Sequence, residues 1–365
     1  MKFLFSVLLT LISTSAFAQQ LPMHGPSADQ LEMMAKHNAE MASQPQLGPV
    51  LGARADRKPF YEYDHTAYVV MSDDDFGGMA TDMKATIAAN LPAGVTLLVF
   101  TQSSDKSYQQ DLISQYGASI GADRVKVLEI PAGGDGFWAR DGLPIPVWEG
   151  TQLTLVDNIY YHGYEPDSYF GQLFAAPITK TGYYYEGGNF MVNAKGDCLV
   201  VNRKKVYPGG TADVTIIPDS VFTGTYGCKT LTRLKHLKGI GHADEVVKFV
   251  NDTTVLTDTA DYKPQLEKLG LTVVMLPEPQ LDYETYANSL IVNDTVFVPV
   301  FGESGDAAAI AAYQAAGYKT VSVQSRELAT GGEGGLHCIT MNYPTVTLHD
   351  ITRAFNVISI TEKSK

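Results

Sequence analysis

The 365-residue chain is short of basic side chains: 27 Lys and Arg stand against 40 Asp and Glu, a formal net charge of −13. That shortage argues against a nucleic-acid binder, whose affinity rests largely on Lys and Arg neutralising phosphates. It suits a cationic ligand instead. Cysteine is scarce as well, with only Cys198, Cys228 and Cys338. Three thiols cannot build a disulfide scaffold. With no C-x-x-C or H-x-x-x-H spacing in the chain, nothing marks a zinc site. Past residue 18 no segment approaches the ~20 uninterrupted apolar residues of a membrane helix, so no stable membrane insertion is expected. A composition of 45% hydrophobic and 18% charged residues excludes a mainly disordered or collagen-like chain.

The first 18 residues are the exception. Lys2 is followed by an apolar run over 3–12 and then by Ala16-Phe17-Ala18. This is the layout of a secretory signal peptide with a small-x-small cleavage site. Cleavage after Ala18 predicts an exported protein, secreted or periplasmic. In such an oxidising compartment an odd cysteine count leaves one thiol over. Cys198 and Cys228 could pair, which the sequence leaves open; Cys338 would then be the free one.

Strands predicted over 67–72, 96–101 and 125–130 alternate with helices over 79–91 and 108–116, a pattern of the α/β class. Before them, Ser27 could cap a helix reaching about residue 41. Later a unit of strand, tight turn, strand, helix, strand appears twice. It covers 246–250, Asn251-Asp252, 253–257, 264–269 and 271–276. It recurs over 288–292, Asn293-Asp294, 295–300, 307–316 and 319–323. A hairpin over 189–193 and 197–202 starts a third copy. Such repetition points to a propeller-like array, in which equivalent corners meet at one central mouth.

Four clusters carry chemistry. Trp138-Ala139-Arg140-Asp141-Gly142 offers a carboxylate beside an aromatic wall, suited to a cation. Glu186-Gly187-Gly188-Asn189 places a Glu at a turn that permits close backbone approach. In Gly241-His242-Ala243-Asp244, an extended backbone would point His242 and Asp244 into one cavity. Gly331-Gly332-Glu333-Gly334-Gly335-Leu336-His337-Cys338 ends a mobile, close-packing loop in a thiol. Each also has a plainer reading as a solvated turn or a packed core residue. A cysteine protease needs N–H donors for an oxyanion. Asp141, Glu186 and Asp244 would repel one, yet they match a planar guanidinium that stays cationic and has an electrophilic carbon.

Taken together, WARDGLPIPV, EGGNFMV, GHADEVVKFV, ANSLIVNDTVFVPVFG and GGLHCITMNYP resemble the agmatine deiminase and Porphyromonas-type peptidylarginine deiminase family of the guanidino-modifying superfamily. The resemblance implies a five-bladed, pseudo-symmetric α/β propeller (pentein) of ββαβ-type units over 61–355. An N-terminal arm over 19–60 would precede it and a tail over 356–365 follow. It implies Cys338 as nucleophile, His242 as general acid/base, Asp141 and Asp244 as the guanidinium clamp, and Glu186 as support for His242. It also implies Asn288 as a polar active-site position, with no metal or organic cofactor; Trp138 remains the aromatic wall read beside Asp141. The expected partner is a small cationic guanidine or an arginine-containing peptide; oligomeric state is not implied. Export favours peptidyl-arginine, converted to citrulline plus ammonia. Agmatine, giving N-carbamoylputrescine, and a catalytically silent guanidine-binding pentein are the alternatives. The exported bacterial type carries an arginine pair that grips a C-terminal carboxylate, and the corresponding stretch here, 159–166, contains no arginine.

Overall fold

The computed structural model describes residues 23–44, 56–207, 210–213, 217–349 and 360–361; the leader expected at 1–18 lies outside them. The fold is α/β, built on apolar runs buried on both faces. Val69, Val70, Met71, Leu97, Leu98 and Val99 are all fully buried, as parallel strands covered by helices require. Thr66–Ser72 pairs in parallel with Thr96–Thr101, and that strand with Val125–Glu129. Helices Thr81–Ala89 and Lys106–Ile120 carry the two crossovers. Met341–Pro344 runs antiparallel along the other side of Thr66–Ser72, so early and late segments share one sheet.

Four more sheets follow one plan. Each has a hairpin whose second strand is then flanked by a parallel strand. They comprise Ile145–Glu149, Gln152–Ile159 and Ile178–Tyr184; Met191–Val192, Asp197–Asn202 and Thr230–Lys235; Lys248–Phe249, Thr254–Thr257 and Thr272–Met275; and Leu290–Val292, Thr295–Val300 and Lys319–Gln324. The repeat seen in the sequence is therefore real, and it extends to Ile145–Tyr184 as well. Among the described residues no sheet closes on itself. Asparagine turns stitch neighbouring sheets together. Asn293 takes a left-handed φ of 57°, which Asn tolerates better than most residues. Its side chain accepts from the Thr66 N–H (2.9 Å) and donates to the Thr66 carbonyl (3.1 Å).

One consequence positions the site. A short bend precedes the first strand of each of the five sheets. Ala139–Gly142 leads into Ile145–Glu149, Gly187–Asn189 into Met191–Val192, and Ala243–Glu245 into Lys248–Phe249. Asn288 precedes Leu290–Val292, and residues 336–338 precede Met341–Pro344.

Ahead of this body, helix Ala28–Ser43 forms as the sequence suggests, with Ser27 and Gln30 closing a capping box. It docks through buried Leu31 and Met34. Asn38 exchanges two hydrogen bonds with the Tyr184 backbone, at 2.9 and 3.0 Å. Arg57–Pro59 adds a strand to the edge of Ile145–Glu149. Among the described residues no helix is long and apolar enough to cross a membrane.

Cys198 and Cys228 form a disulfide, with Cα atoms 5.8 Å apart, leaving Cys338 free. The bridge closes a 30-residue separation. Replacing Cys228 by Ser should therefore lower unfolding stability by about 2–5 kcal/mol. Denaturant titration checks this, and a loss below ~0.5 kcal/mol would show the bridge to be structurally idle.

Candidate active site

The five bends converge. Glycine is what lets them touch. A Cβ on Gly187 would stand 2.2 Å from the Arg140 carbonyl oxygen, and one on Gly335 would stand 2.4 Å from Asn288 Oδ1. Neither distance is possible, so these glycines serve close approach. The glycine-rich loop is close-packed, as the sequence suggests. It begins as helix Arg326–Gly332, and Glu333 ends that helix at φ 63°. Its glycines lie against Met79, Phe76, Trp138 and Asn288.

Gly188 marks the centre. Its absent side chain would lie 2.8 Å from Asp141 Oδ1, 2.8 Å from His242 Nδ1 and 3.2 Å from Asp244 Oδ1. Two clamp carboxylates and the imidazole thus surround one point. Cys338 joins them: its Sγ is 3.8 Å from Asp244 Oδ2 and 3.3 Å from Asn288 Nδ2. Asn288 Oδ1 in turn accepts from the His337 N–H at 3.0 Å. Glu186 Oε1 lies 3.9 Å from His242 Nε2. All seven residues read from the sequence (Trp138, Asp141, Glu186, His242, Asp244, Asn288 and Cys338) are buried here, and the contacts above link them. The extended reading of 242–244 needs correction. His242 is extended, but Ala243–Glu245 forms a 3-10 turn. The two side chains meet because the turn brings them together, not because of strand alternation.

Four buried polar atoms of this group find no hydrogen-bond partner: Trp138 Nε1, both ring nitrogens of His242, and Asp244 Oδ1. Such atoms in a native fold ask for a ligand. His24, Asp141 and His242 also offer ligand atoms that lie within 4.8 Å of one another, close enough to hold a metal ion geometrically.

Other groups fix the cage, and sequence reasoning missed most of them. Arg203 pairs with Glu186 at 2.6 Å. His337 bridges Asp244 Oδ2 (2.7 Å) and Glu62 Oε2 (2.9 Å), and Lys248 Nζ reaches the same Glu62 oxygen at 2.7 Å. The Arg140 backbone N–H donates to the Cys338 carbonyl at 2.9 Å. Lys248 could have been found, because a lysine inside the apolar run 246–250 demands a partner. Glu62, Arg203 and His24 carry no such signal.

Electrostatics follow. Burial pushes the Cys338 thiol up, and Asp244 and Asp141 push it further, so it rests as the neutral thiol. Burial opposes the charged form of His242, but Asp141 and Glu186 outweigh it and hold the imidazole above its ordinary value. Burial likewise works against the Asp244 carboxylate, yet His337 holds it low. For Glu186 burial works against the carboxylate, but the Arg203 guanidinium and His242 together outweigh it and bring the carboxyl down to about 2.

The fold and this cage define a class: a pentein-like α/β protein with a cysteine set among carboxylates. The solved structures agree on the fold. C. jejuni agmatine deiminase with substrate bound superposes with a TM-score of 0.64 at 17% identity, covering 80% of this chain and 97% of that one. An agmatine deiminase of Enterococcus faecalis gives 0.65 at 17%, covering 83% and 100%. Among curated relatives, a Mycoplasma capricolum protein named "Putative agmatine deiminase" is 34% identical over 321 residues, 69% of this chain and 83% of that protein. A Vibrio parahaemolyticus protein of the same name matches at 47% over 62 residues, 17% of its own length. The family description Porphyromonas-type peptidyl-arginine deiminase matches residues 73–344. The chain belongs to that family, whose members are hydrolases of amidine C–N bonds.

Two outcomes test the electrostatics. Asp244→Asn removes the anion that most raises the thiol. Alkylation of Cys338 by neutral iodoacetamide near neutral pH should then speed up, roughly tenfold for each pKa unit regained; an unchanged rate would contradict the assignment. Glu186 titrates below its ordinary value of 4.5, so its pairing stabilises the fold above that pH, and the contribution is lost as pH falls from 4.5 towards about 2. Glu186→Gln should show a flatter denaturation midpoint against pH across that window; parallel curves would contradict it.

Proposed function

We propose that this protein is an exported guanidine deiminase whose substrate is peptidyl-arginine, converted to citrulline with release of ammonia. The carrying observation is the convergence of two buried carboxylates, Asp141 and Asp244, and the His242 ring on Gly188, with Asp244 also beside a neutral thiol. A guanidinium held between these carboxylates makes charge-assisted pairings and supplies the positive charge that a thiolate needs.

The chemistry runs in two halves. Asp141 and Asp244 hold the guanidinium. The Cys338 thiol gives its proton to water as the guanidinium binds, and the Sγ thiolate attacks the central carbon, which becomes tetrahedral. His242, held towards its protonated form, gives a proton to one terminal nitrogen, which departs as ammonia. A covalent thiouronium and a neutral imidazole remain. Water then attacks the same carbon, His242 takes one of its protons, and the C–S bond breaks as the second passes to sulfur, giving a ureido group and the free thiol. Asn288 positions Sγ through its 3.3 Å contact. The five repetitions of one sheet plan, with a site residue at each leading bend, support the five-bladed pentein arrangement. Export rests on the leader at 1–18.

Agmatine is the second reading, favoured by the names of the curated relatives. The absence of arginine from 159–166 speaks against a requirement for C-terminal arginine. A single panel separates the readings: ammonia release from agmatine, free arginine, and arginine peptides blocked or free at the C-terminus. Blocked and free peptides should both react, agmatine less well. Cys338→Ala should reduce release to background, and His242→Ala should lower kcat by about 10²–10⁴-fold. Turnover that survives Cys338→Ala would end the mechanism, and no turnover of any guanidine would leave the silent binder.

A further inference from the structure

The seven site residues read from the sequence leave one occupant of the site unexplained. His24 comes from the arm, outside the family-matched span 73–344, yet it is fully buried in the cage. Its Nε2 lies 2.5 Å from Asp141 Oδ2. Its ring stacks on Trp138 with centroids 4.1 Å apart and planes 16° from parallel, and it meets His242 edge-on at 5.3 Å. A planar nitrogen group, flat against an indole and paired to a clamp carboxylate, stands where a guanidinium belongs.

The backbone around it is held as a bound peptide would be. The His24 N–H donates to the Gly332 carbonyl at 3.0 Å, and its own carbonyl accepts from the Tyr161 hydroxyl. The groove is shaped to it. A Cβ on Gly334 would collide with both Trp138 (2.4 Å) and His24 Nδ1 (2.6 Å). Ordinary core packing would leave no polar atom wanting. Here no hydrogen bond reaches Asp244 Oδ1 or either His242 nitrogen, whose nearest carboxylate oxygens stand 3.7 and 3.9 Å away, so His24 fills the outer part of the cage only. An arginine side chain, longer than histidine's, would reach further in.

We propose that residues 23–26 are a pseudosubstrate. His24 sits in the position of the reacting arginine, and the Tyr161 hydroxyl and Gly332 carbonyl form a subsite for the peptide backbone. The docked arm holds the enzyme closed. This rests on the deiminase reading and deepens it. The chain continues on both sides of His24, through Met23 and Gly25, so the site admits arginine within a polypeptide and requires no C-terminal carboxylate beside it. While the arm is docked, apparent affinity falls by the fraction of molecules that are open.

The test uses the full chain. His24→Ala should lower KM for a peptide with an internal arginine by roughly tenfold, the order expected from losing one charge-assisted hydrogen bond, with kcat little changed. It should speed modification of Cys338 by the cationic probe 2-chloroacetamidine by a similar factor. His24→Arg should deiminate itself: citrulline at position 24 by peptide mapping, formed at a rate independent of protein concentration and absent when Cys338→Ala is added. Should His24→Ala fail to fold, cleavage of the folded enzyme at a protease site placed between residues 44 and 56 gives the same readouts. Unchanged KM and unchanged probe reactivity after His24→Ala or cleavage would overturn the proposal. Faster probe reaction with no turnover of any guanidine would keep the plug and remove the deiminase reading.

Discussion

A sulfur atom buried among carboxylates is the constraint on which this structure turns. Asp141, Asp244 and Glu245 are buried near Cys338, with Glu186 buried beside His242, and buried anions are costly unless paired. The protein meets that cost unevenly. Glu186 has Arg203, and Asp244 has His337 backed by Glu62 and Lys248. Asp141 has a backbone N–H from Gly188 and two imidazoles. The cage is thus charge-balanced at its periphery and left wanting a cation at its centre. The same field keeps the thiol neutral until a cation arrives. In the proposed mechanism, reactivity is thereby tied to substrate binding.

Repetition is how the fold assembles that cage. No single sheet could place five functional bends around one point, because a strand end offers only a few residues. Five sheets of one plan offer five bends, and these carry in turn Asp141, Glu186, His242 with Asp244, Asn288, and Cys338. Glycines 187, 188 and 335 let the bends press together, since any Cβ there would strike a neighbouring bend. Support is layered behind them. The Arg140 side chain donates to Asn342 at 2.8 Å while its backbone N–H holds the Cys338 carbonyl, so the segment carrying Asp141 also anchors Cys338 and the strand that follows it.

The arm gives this arrangement a second level. Its helix follows local rules, with a capped start and an apolar stripe through Leu31 and Met34. Its contacts with the body are specific, since Asn38 pairs with the Tyr184 backbone much as a strand residue would. A segment tied down in this way holds His24 in register with Trp138 and Asp141.

Local chemistry made much of this legible in the sequence. Apolar runs determined strands such as Thr96–Thr101 and Thr295–Val300, the repeated hairpin-and-helix plan showed itself, and Ser27 announced its helix. The seven site residues were readable because cysteine, histidine and carboxylates beside glycines have few structural reasons to be there. What stayed hidden depends on distance in space. The pairing of Cys198 with Cys228 required knowing where two Cβ atoms point. Glu62 and Arg203 look like ordinary surface charges until folding buries them against His337 and Glu186. His24 lies 117 residues from Asp141, and no pattern along a chain reports a contact at that separation. The sequence by itself determined which groups could do the chemistry, because residue type and local periodicity are written in it. Only the tertiary structure decided which charges face each other and that the arm enters the cage, because those are set by how five sheets pack.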